Sequence, residues 1–273
     1  MGSSALVFSP YDREVLEPYL PPRTPANHGS LPFSTLTFAT SLDSAISLSP
    51  GVQTILSGPE SKAMTHYLRS RHEAILVGVG TVMADDPSLN CRLEGITLEQ
   101  QPRPVVIDPV VRWDVAKSKC LSLAQQGKGK APYIVCIQSN PPFGQRKALE
   151  AAGGKYIYMG FEDAMTDDGF RFGWNSILTA LRDEGLHSLM IEGGGSIINS
   201  LLVPPEVELI SSVILTIAPT WLGQGGVTIS PERKEKQKQL RLQHPKWHPL
   251  GEDIILCGTL RADRGNWLQQ HSK

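Results

Sequence analysis

The sequence lacks the features of membrane proteins, of nucleic-acid-binding proteins and of secreted proteins. Its 26 Lys and Arg residues are matched by 27 Asp and Glu residues, so no positive surplus exists to replace the counterions of a nucleic-acid backbone. No apolar run approaches the roughly 20 residues that a membrane-spanning helix needs. The first residues show no basic segment followed by a long apolar run. We therefore expect a cytoplasmic protein with neither nucleic acid nor membrane among its partners.

Cysteine is scarce as well, with four residues in a chain of 273. None forms a Cys-x-x-Cys pair, and Cys136 and Cys257 lie in apolar runs, which favours buried, reduced thiols over a disulfide framework. The sequence also lacks zinc-deaminase, nucleophile-elbow and H-E-x-x-H motifs. The seven histidines are interpreted as structural or exposed. No metal site is predicted, and a bound organic cofactor is the expected source of the chemistry.

Proline distinguishes an N-terminal arm from the rest of the chain. Residues 1–31 contain Pro10, Pro18, Pro21, Pro22 and Pro25. Because proline fixes φ and removes a backbone donor, regular structure is not expected there, and the arm is interpreted as an extended segment lying over the domain. No internal repeat follows, so residues 32–273 are predicted to form a single domain.

Short apolar runs alternate with amphipathic stretches from Leu31 onward. The predicted strands are 33–40, 74–78, 104–108, 133–138, 156–159, 188–191, 210–217 and 253–260. Several are rich in β-branched residues without period-two alternation, which is typical of strands covered on both faces. Helices between strands indicate an α/β fold with a mainly parallel sheet. The last two strands have no clear helix between them, which predicts an antiparallel C-terminal edge.

Two helices carry clear terminal signals. At the first, Ser57 is the expected N-cap, Pro59 occupies an early helical position and Glu60 completes a capping box. The second has an apolar stripe from Trp174 to Leu181 and is expected to end near Gly185.

Two of the predicted strand ends are rich in glycine. Residues 78–81 (GVGT) follow one strand and residues 192–196 (EGGGS) follow another, with a helix expected from Ile197. Ligands of open α/β sheets bind outside the carboxyl ends of strands, where glycines admit a ligand to the backbone and a helix start favours a pyrophosphate. The spacing matches neither the Rossmann fingerprint nor the P-loop. A packing turn and a phosphate site therefore both fit these glycines.

Three charged residues accompany these junctions. Glu192 follows an apolar strand directly, where a carboxylate is costly unless it is paired. It fits a capping or salt-bridging role as well as an acceptor for a polar ligand. Arg69 and Arg92 have guanidinium groups suited to a phosphate ester, although an isolated arginine is more often a solvated surface residue.

Several strings, taken together, resemble the reductase family of riboflavin biosynthesis. They are residues 35–37 (TLT), 41–43 (SLD), 65–69 (THYLR), 75–92 (ILVGVGTVMADDPSLNCR), 102–108 (PRPVVID), 191–194 (IEGG), 218–219 (AP) and 222–223 (LG). They occur in the family's order across residues 31–260, and the string from Ile75 to Arg92 is the specific one.

The resemblance implies a dihydrofolate-reductase-like fold, a homodimer and NADPH as cofactor. The implied reaction reduces the ribosylamino side chain of a phosphorylated pyrimidine to the ribitylamino form. The implied cofactor contacts are Thr81, Asp85 and the backbone of Gly193, Gly194, Gly195, Ser196 and Ile197. The implied substrate contacts are Arg69 and Arg92 at the phosphate, with Leu89 nearby, and Glu192 at the substrate itself. No proton donor is predicted, and Glu192 is expected to stabilise the positive charge that develops on the substrate.

Two positions resemble the fungal-type, stand-alone enzyme. Thr37 stands where bacterial members have lysine, and Ser44 stands where bacterial and plant members have glycine. The implied substrate is therefore 2,5-diamino-6-(ribosylamino)pyrimidin-4(3H)-one 5′-phosphate, used before deamination. Ser44 also puts a glycine-specific backbone shape in question at that position. The alternatives are a folate- or pterin-type reductase on the same fold and a non-catalytic nucleotide-binding protein.

Overall fold

The computed structural model describes residues 6–23, 30–137, 140–160, 165–166, 169–170, 172–232 and 239–260. The helices in this part of the chain are α1 (Pro10–Leu16), α2 (Pro59–Arg71), α3 (Val79–Asp85), α4 (Lys119–Gln125), α5 (Phe143–Ala151), α6 (Trp174–Asp183) and α7 (Gly195–Leu201). Short 3₁₀ helices cover Glu17–Tyr19, Val115–Lys117 and Glu206–Leu209. Within these ranges, no helix has the length and apolar character needed to cross a membrane.

All eight predicted strands are present, and their ends agree with the prediction to within two residues. Residue 138, the last of the predicted strand 133–138, lies outside the described residues. The strands are β1 (Phe33–Thr40), β2 (Ala45–Ser47), β3 (Ala74–Gly78), β4 (Arg103–Ile107), β5 (Tyr133–Cys136), β6 (Lys155–Tyr158), β7 (Met165–Thr166), β8 (Gly169–Phe170), β9 (Ser188–Glu192), β10 (Ser212–Ile217), β11 (Val227–Thr228), β12 (Gln243–Leu250) and β13 (Asp253–Thr259).

Nine strands form the central sheet, in the order β12-β13-β10-β1-β9-β3-β4-β5-β6. The seven strands from β10 to β6 run parallel to one another. Strand β13 pairs antiparallel with β10, and β12 pairs antiparallel with β13. The predicted mainly parallel sheet with an antiparallel C-terminal edge is therefore confirmed.

Helices cover both faces of this sheet. Successive side chains of a strand point to opposite faces, so Ile75 and Val77 of β3 enter one core while Leu76 enters the other. The first core also receives side chains from α1 to α5, and the second receives those of α6 and α7. Burial on both faces explains why most of the parallel strands lack an alternation of apolar and polar side chains, although β1 also buries Ser34, Thr35 and Thr37.

Strand β9 lies between β1 and β3, although it is late in the chain. The chain builds outward from β3 through β4, β5 and β6, then returns through α6 to β9 and crosses to β10 on the far side of β1. The direction of strand addition therefore changes at β9. Ligands of open α/β sheets bind at the carboxyl ends of strands at such a switch point.

The N-terminal arm corrects one expectation. Regular structure was not predicted in residues 1–31, yet α1 spans Pro10–Leu16 and a 3₁₀ turn follows at Glu17–Tyr19. The prolines are compatible with both because Pro10 and Pro18 occupy first-turn positions, whose N–H groups have no helical acceptor. Phe8, Leu16 and Leu20 are buried in the first core.

The start of α2 corrects another expectation. Its N-cap is Gly58 rather than Ser57, and no capping box forms, although Pro59 does occupy the first turn. The carboxylate of Asp253 replaces the box: its Oδ2 accepts hydrogen bonds from the Gly58 N–H at 2.9 Å and from the Ser61 hydroxyl at 2.6 Å. Asp253 is the first residue of β13, so the cap joins two distant parts of the chain.

We predict that Asp253→Ala lowers the free energy of unfolding by about 2 kcal/mol, because two buried donors lose a charged acceptor. Asp253→Asn, which keeps one acceptor oxygen, should lose about half as much. Urea denaturation followed by circular dichroism measures both variants. If Asp253→Ala is as stable as the wild type, the cap contributes nothing to the free energy of unfolding.

Candidate active site

The two glycine-rich junctions lie in contact at the carboxyl edge of the sheet. Strand β3 leads directly into α3, which carries Thr81, and β9 leads through Gly193 and Gly194 into α7. Helix α7 begins at Gly195, two residues before the predicted start. A Cβ atom at Gly194 would lie 3.3 Å from the Thr81 hydroxyl oxygen. Segments more than a hundred residues apart in the sequence therefore meet at one edge of the sheet.

Close packing accounts for most of these glycines. A Cβ atom at Gly193 would lie 2.7 Å from Ile197 Cβ, and one at Gly195 would lie 2.5 Å from Val227 Cγ1. At Gly78 the nearest atom would be Ile197 Cδ1 at 2.9 Å. The packing-turn interpretation is thus correct for Gly193 and Gly195. The Ile197 side chain fills this space, so the cofactor contact predicted for the Ile197 main chain would not involve its side chain.

The two acids that end α3 have different surroundings. Asp86 takes a left-handed conformation with φ of 39° and ends the helix, and its Oδ1 accepts a hydrogen bond from the Lys119 N–H at 2.9 Å, at the start of α4. Asp85 is half-buried, and burial raises the pKa of its carboxyl group. Asp86 therefore has a structural role, and Asp85 remains the residue predicted to contact the cofactor.

Arg69 of α2 and Glu192 at the end of β9 form an ion pair. Glu192 points to the same face of β9 as Met190, which is the face that α2 covers. Arg69, in the last turn of α2, reaches Glu192 Oε2 at 3.0 Å, with side chains 12% and 23% exposed. A second guanidinium nitrogen donates to the Asn90 carbonyl at 3.2 Å. The salt-bridging interpretation of Glu192 is correct, and Arg69 is not a free cation. Thr37 lies beside Glu192 in the register of β1 and β9.

Arg92 lies against His66 of α2. Its main-chain N–H donates to His66 Nδ1 at 3.0 Å, while its guanidinium nitrogens lie 3.0 and 3.3 Å from His66 Nε2. His66 is only 2% exposed. Burial, and next the positive charges of Arg69 and Arg92, lower the pKa of His66 to about 3. The imidazole is therefore neutral at physiological pH.

His66 is the site residue that the sequence analysis missed. It lies within the string 65–69 (THYLR), but only the arginine of that string was assigned a role, and the histidine was interpreted with the others as structural or exposed. The available signal was its spacing: residues 66 and 69 lie three apart on a helix and share one face, which places His66 beside an arginine already singled out.

Leu89 has a structural role in this conformation. Its side chain is 1% exposed and belongs to the first core, and its φ of 53° lies in the left-handed region. The substrate contact predicted for Leu89 is thereby limited to its main chain. The same loop borders a pocket of about 470 Å³ whose polar lining includes Ser88, Asn90, Arg92 and Lys128.

Asp43 connects two of the strings that carry the family resemblance. Its carboxylate accepts hydrogen bonds from the Ser41 hydroxyl at 2.5 Å, the Leu222 N–H at 3.1 Å and the Gly223 N–H at 2.7 Å. The Ser41 bond, followed by the two main-chain bonds, lowers the pKa of Asp43 to about 2. The neighbouring Ser44 has φ of 62°, so the backbone shape that glycine favours is kept without glycine.

We predict that Glu192→Gln lowers the free energy of unfolding by about 1–2 kcal/mol, because a mostly buried guanidinium loses its counter-charge. The matched control is Glu150→Gln, whose partner Arg146 lies 3.7 Å away in an exposed pair. The control should change stability by less than about 0.5 kcal/mol. Urea denaturation of both variants tests this, and equal small losses would contradict it.

A second prediction concerns pH. His72 donates to the Leu68 carbonyl and accepts from the Thr35 hydroxyl, and burial lowers its pKa to about 4. Both His66 and His72 thus titrate below the unfolded value of about 6.5, so the unfolded chain binds protons that the folded chain does not. Above about pH 6.5 they cause no pH dependence, and stability falls as the pH drops below it.

The expected loss between pH 7 and pH 5 is about 2 kcal/mol for each of the two histidines. The urea midpoint measured at both pH values tests it, and His72→Gln should show about half the wild-type loss. A midpoint that stays constant over this interval would rule out buried neutral histidines.

Comparison with known proteins agrees with this geometry. The RibD C-terminal domain model matches residues 32–256. The 2,5-diamino-6-ribosylamino-4(3H)-pyrimidinone 5′-phosphate reductase of Debaryomyces hansenii is 41% identical over 260 residues, covering 94% of this chain and 99% of that protein. The Saccharomyces cerevisiae protein of the same name is 35% identical over 251 residues, covering 92% and 96%.

Solved structures agree as well. The riboflavin biosynthesis reductase of Saccharomyces cerevisiae has a TM-score of 0.72 at 32% identity, covering 91% of this chain and 98% of that one. RibD of Acinetobacter baumannii, with a TM-score of 0.68 at 23% identity, covers 85% and 59% and supports the fold alone. The chain therefore belongs to the RibD C-terminal domain family and has its dihydrofolate-reductase-like fold.

Proposed function

We propose that this protein reduces 2,5-diamino-6-(ribosylamino)pyrimidin-4(3H)-one 5′-phosphate to its ribitylamino form, with NADPH as the reductant. The observation that carries the proposal is the contact between the two glycine-rich junctions, where Thr81 meets Gly194 at the switch point of the sheet. Relatives that match nearly their whole length carry the name of this activity. The protein is thus an oxidoreductase, and the choice of NADPH over NADH is part of the proposal.

Both junctions offer groups that would suit a dinucleotide. On one side α3 offers the Thr81 hydroxyl and the Asp85 carboxylate, which is suited to accept hydrogen bonds from ribose hydroxyls. On the other, the N–H groups of Gly195, Ser196 and Ile197 lie in the first turn of α7, where the helix provides no acceptor for them. Gly194 contributes no side chain beside Thr81. When bound, the reduced nicotinamide supplies a hydride.

Arg92 is the residue best placed to bind the substrate phosphate. It forms no ion pair with any acid of the described residues, and its side chain is exposed beside a polar pocket. A guanidinium matches phosphate oxygens in a bidentate geometry. Arg69 shares its charge with Glu192, so its contribution to the phosphate is smaller.

Glu192 would act at the reacting end of the substrate. Opening of the ribosylamino ring gives a carbon–nitrogen double bond at C1′, and reduction adds a hydride to that carbon and a proton to the nitrogen. The Glu192 carboxylate would stabilise the positive charge on this group, and Arg69 would hold the carboxylate in place. Binding of the distant phosphate would orient the reacting carbon.

We also propose a homodimer in the cytoplasm. The family resemblance supports the dimer, and the four buried thiols suit a reducing compartment. Light scattering coupled to size exclusion measures the mass: about twice the 29.8 kDa of the chain is expected, and the mass of a single chain would contradict it.

The activity is tested by mixing the pure protein, NADPH and the phosphorylated substrate and following the loss of nicotinamide absorbance. We expect turnover with this substrate and none with dihydrofolate. Removing the phosphate should lower kcat/KM by about 100-fold, because charge-assisted hydrogen bonds are lost. Binding of NADPH without its oxidation would favour a non-catalytic nucleotide-binding protein, and turnover of dihydrofolate a folate-type reductase.

Arg92→Ala should raise KM for the phosphorylated substrate by about 100-fold while changing the Kd of NADPH less than twofold. The control is Arg146→Ala, an exposed arginine on α5, which should change neither. Steady-state kinetics and NADPH titration measure these values. Equal losses of substrate and NADPH binding would contradict the assignment of Arg92.

A further inference from the structure

We propose that His66 is a positioning residue for phosphate recognition, which fixes the main chain of Arg92 and leaves the guanidinium of that residue available to the phosphate. The inference rests on the proposed function, because it assigns the role of His66 through the phosphate contact of Arg92. It concerns a residue that would touch neither substrate nor cofactor.

The main chain around Arg92 is held from both sides. Its N–H donates to His66 Nδ1 at 3.0 Å, and its carbonyl accepts from the Leu6 N–H at 3.3 Å. The preceding Cys91 exchanges two hydrogen bonds with the Gln101 side chain, at 2.7 and 2.9 Å. The Cys91 thiol donates to the His66 carbonyl at 3.0 Å. His66 therefore joins α2 to this segment through both its side chain and its main chain.

The protonation of His66 determines what the guanidinium can do. A neutral imidazole has one N–H donor and one acceptor nitrogen. The Arg92 main-chain N–H points at Nδ1 at 3.0 Å, and the Arg92 Nε–H points at Nε2 at 3.3 Å. The neutral ring accepts only one of these two hydrogen bonds at a time. The main-chain N–H cannot turn away from Nδ1, whereas the guanidinium can leave Nε2 when a phosphate binds, so we assign the lasting hydrogen bond to the main chain.

The positive charges around His66 suit the doubly negative phosphate group of the substrate. Lys62, His66 and Arg69 lie at successive turns of one face of α2. Of the two lysine and arginine side chains on this face, Arg69 is paired with Glu192, whereas exposed Lys62 forms no ion pair within the described residues. A neutral ring lets Arg92 approach this face without adding another positive charge. The resulting positive potential would attract the phosphate.

Three substitutions separate positioning from simple packing. His66→Asn keeps an acceptor oxygen near the position of Nδ1, His66→Gln places its amide near Nε2, and His66→Ala keeps neither. We expect His66→Ala and His66→Gln to raise KM for the phosphorylated substrate about fivefold to tenfold, as loss of one hydrogen bond predicts. His66→Asn should stay within twofold of wild type. In all three, kcat and the Kd of NADPH should change less than twofold.

Two controls make the assignment specific. With the dephosphorylated substrate, kcat/KM should be the same in His66→Ala and wild type, and in an Arg92→Ala background His66→Ala should add less than twofold. His72→Ala removes another buried histidine, so it should lower Tm without changing the preference for the phosphorylated substrate. If His66→Ala does not fold, the comparison of His66→Asn with His66→Gln decides.

The inference is overturned if His66→Ala lowers kcat/KM equally for both substrates, or if His66→Asn is no better than His66→Gln. A wild-type protein that does not oxidise NADPH with the phosphorylated substrate would instead overturn the proposed function. The wild-type assay therefore distinguishes the two failures.

Discussion

The pairing of β9 between β1 and β3 is the constraint on which the site depends. It places the carboxyl ends of β3 and β9 side by side, so that α3 and α7 start at the same edge of the sheet. Close packing of Ile197 against Gly78 and Gly193 fixes the two junctions relative to one another. The alternation of side chains along β9 then turns Glu192 toward α2 and Arg69. One strand thus positions both the candidate cofactor site and the Arg69–Glu192 ion pair.

Four residues of the candidate site, Arg69, Glu192, Arg92 and His66, have different electrostatic roles. Arg69 is neutralised by Glu192, which lets a carboxylate remain in a mostly buried position. Arg92 has no acidic partner in the described part of the chain and is exposed. His66 is held neutral by burial and by neighbouring cations. A phosphate would therefore meet one guanidinium without an acidic partner, and the reacting end of the substrate would meet a carboxylate.

The sequence predicted the parallel sheet well, because most strands covered on both faces are short apolar runs without period-two alternation. It missed β12, which contains Pro245 and Pro249 and has mostly exposed side chains, as an edge strand allows. It also missed the cap that Asp253 provides for α2, because no local pattern reports a partner 195 residues away. The role of His66 was missed for the same reason, because it depends on contact with a loop 26 residues later in the chain.

The most direct test of the account is a crystal structure of the protein with NADPH bound. We expect the pyrophosphate to accept hydrogen bonds from the N–H groups of Gly195 to Ile197, with Thr81 on the opposite side of the cofactor. A cofactor bound away from Thr81 and the start of α7 would contradict the central claim.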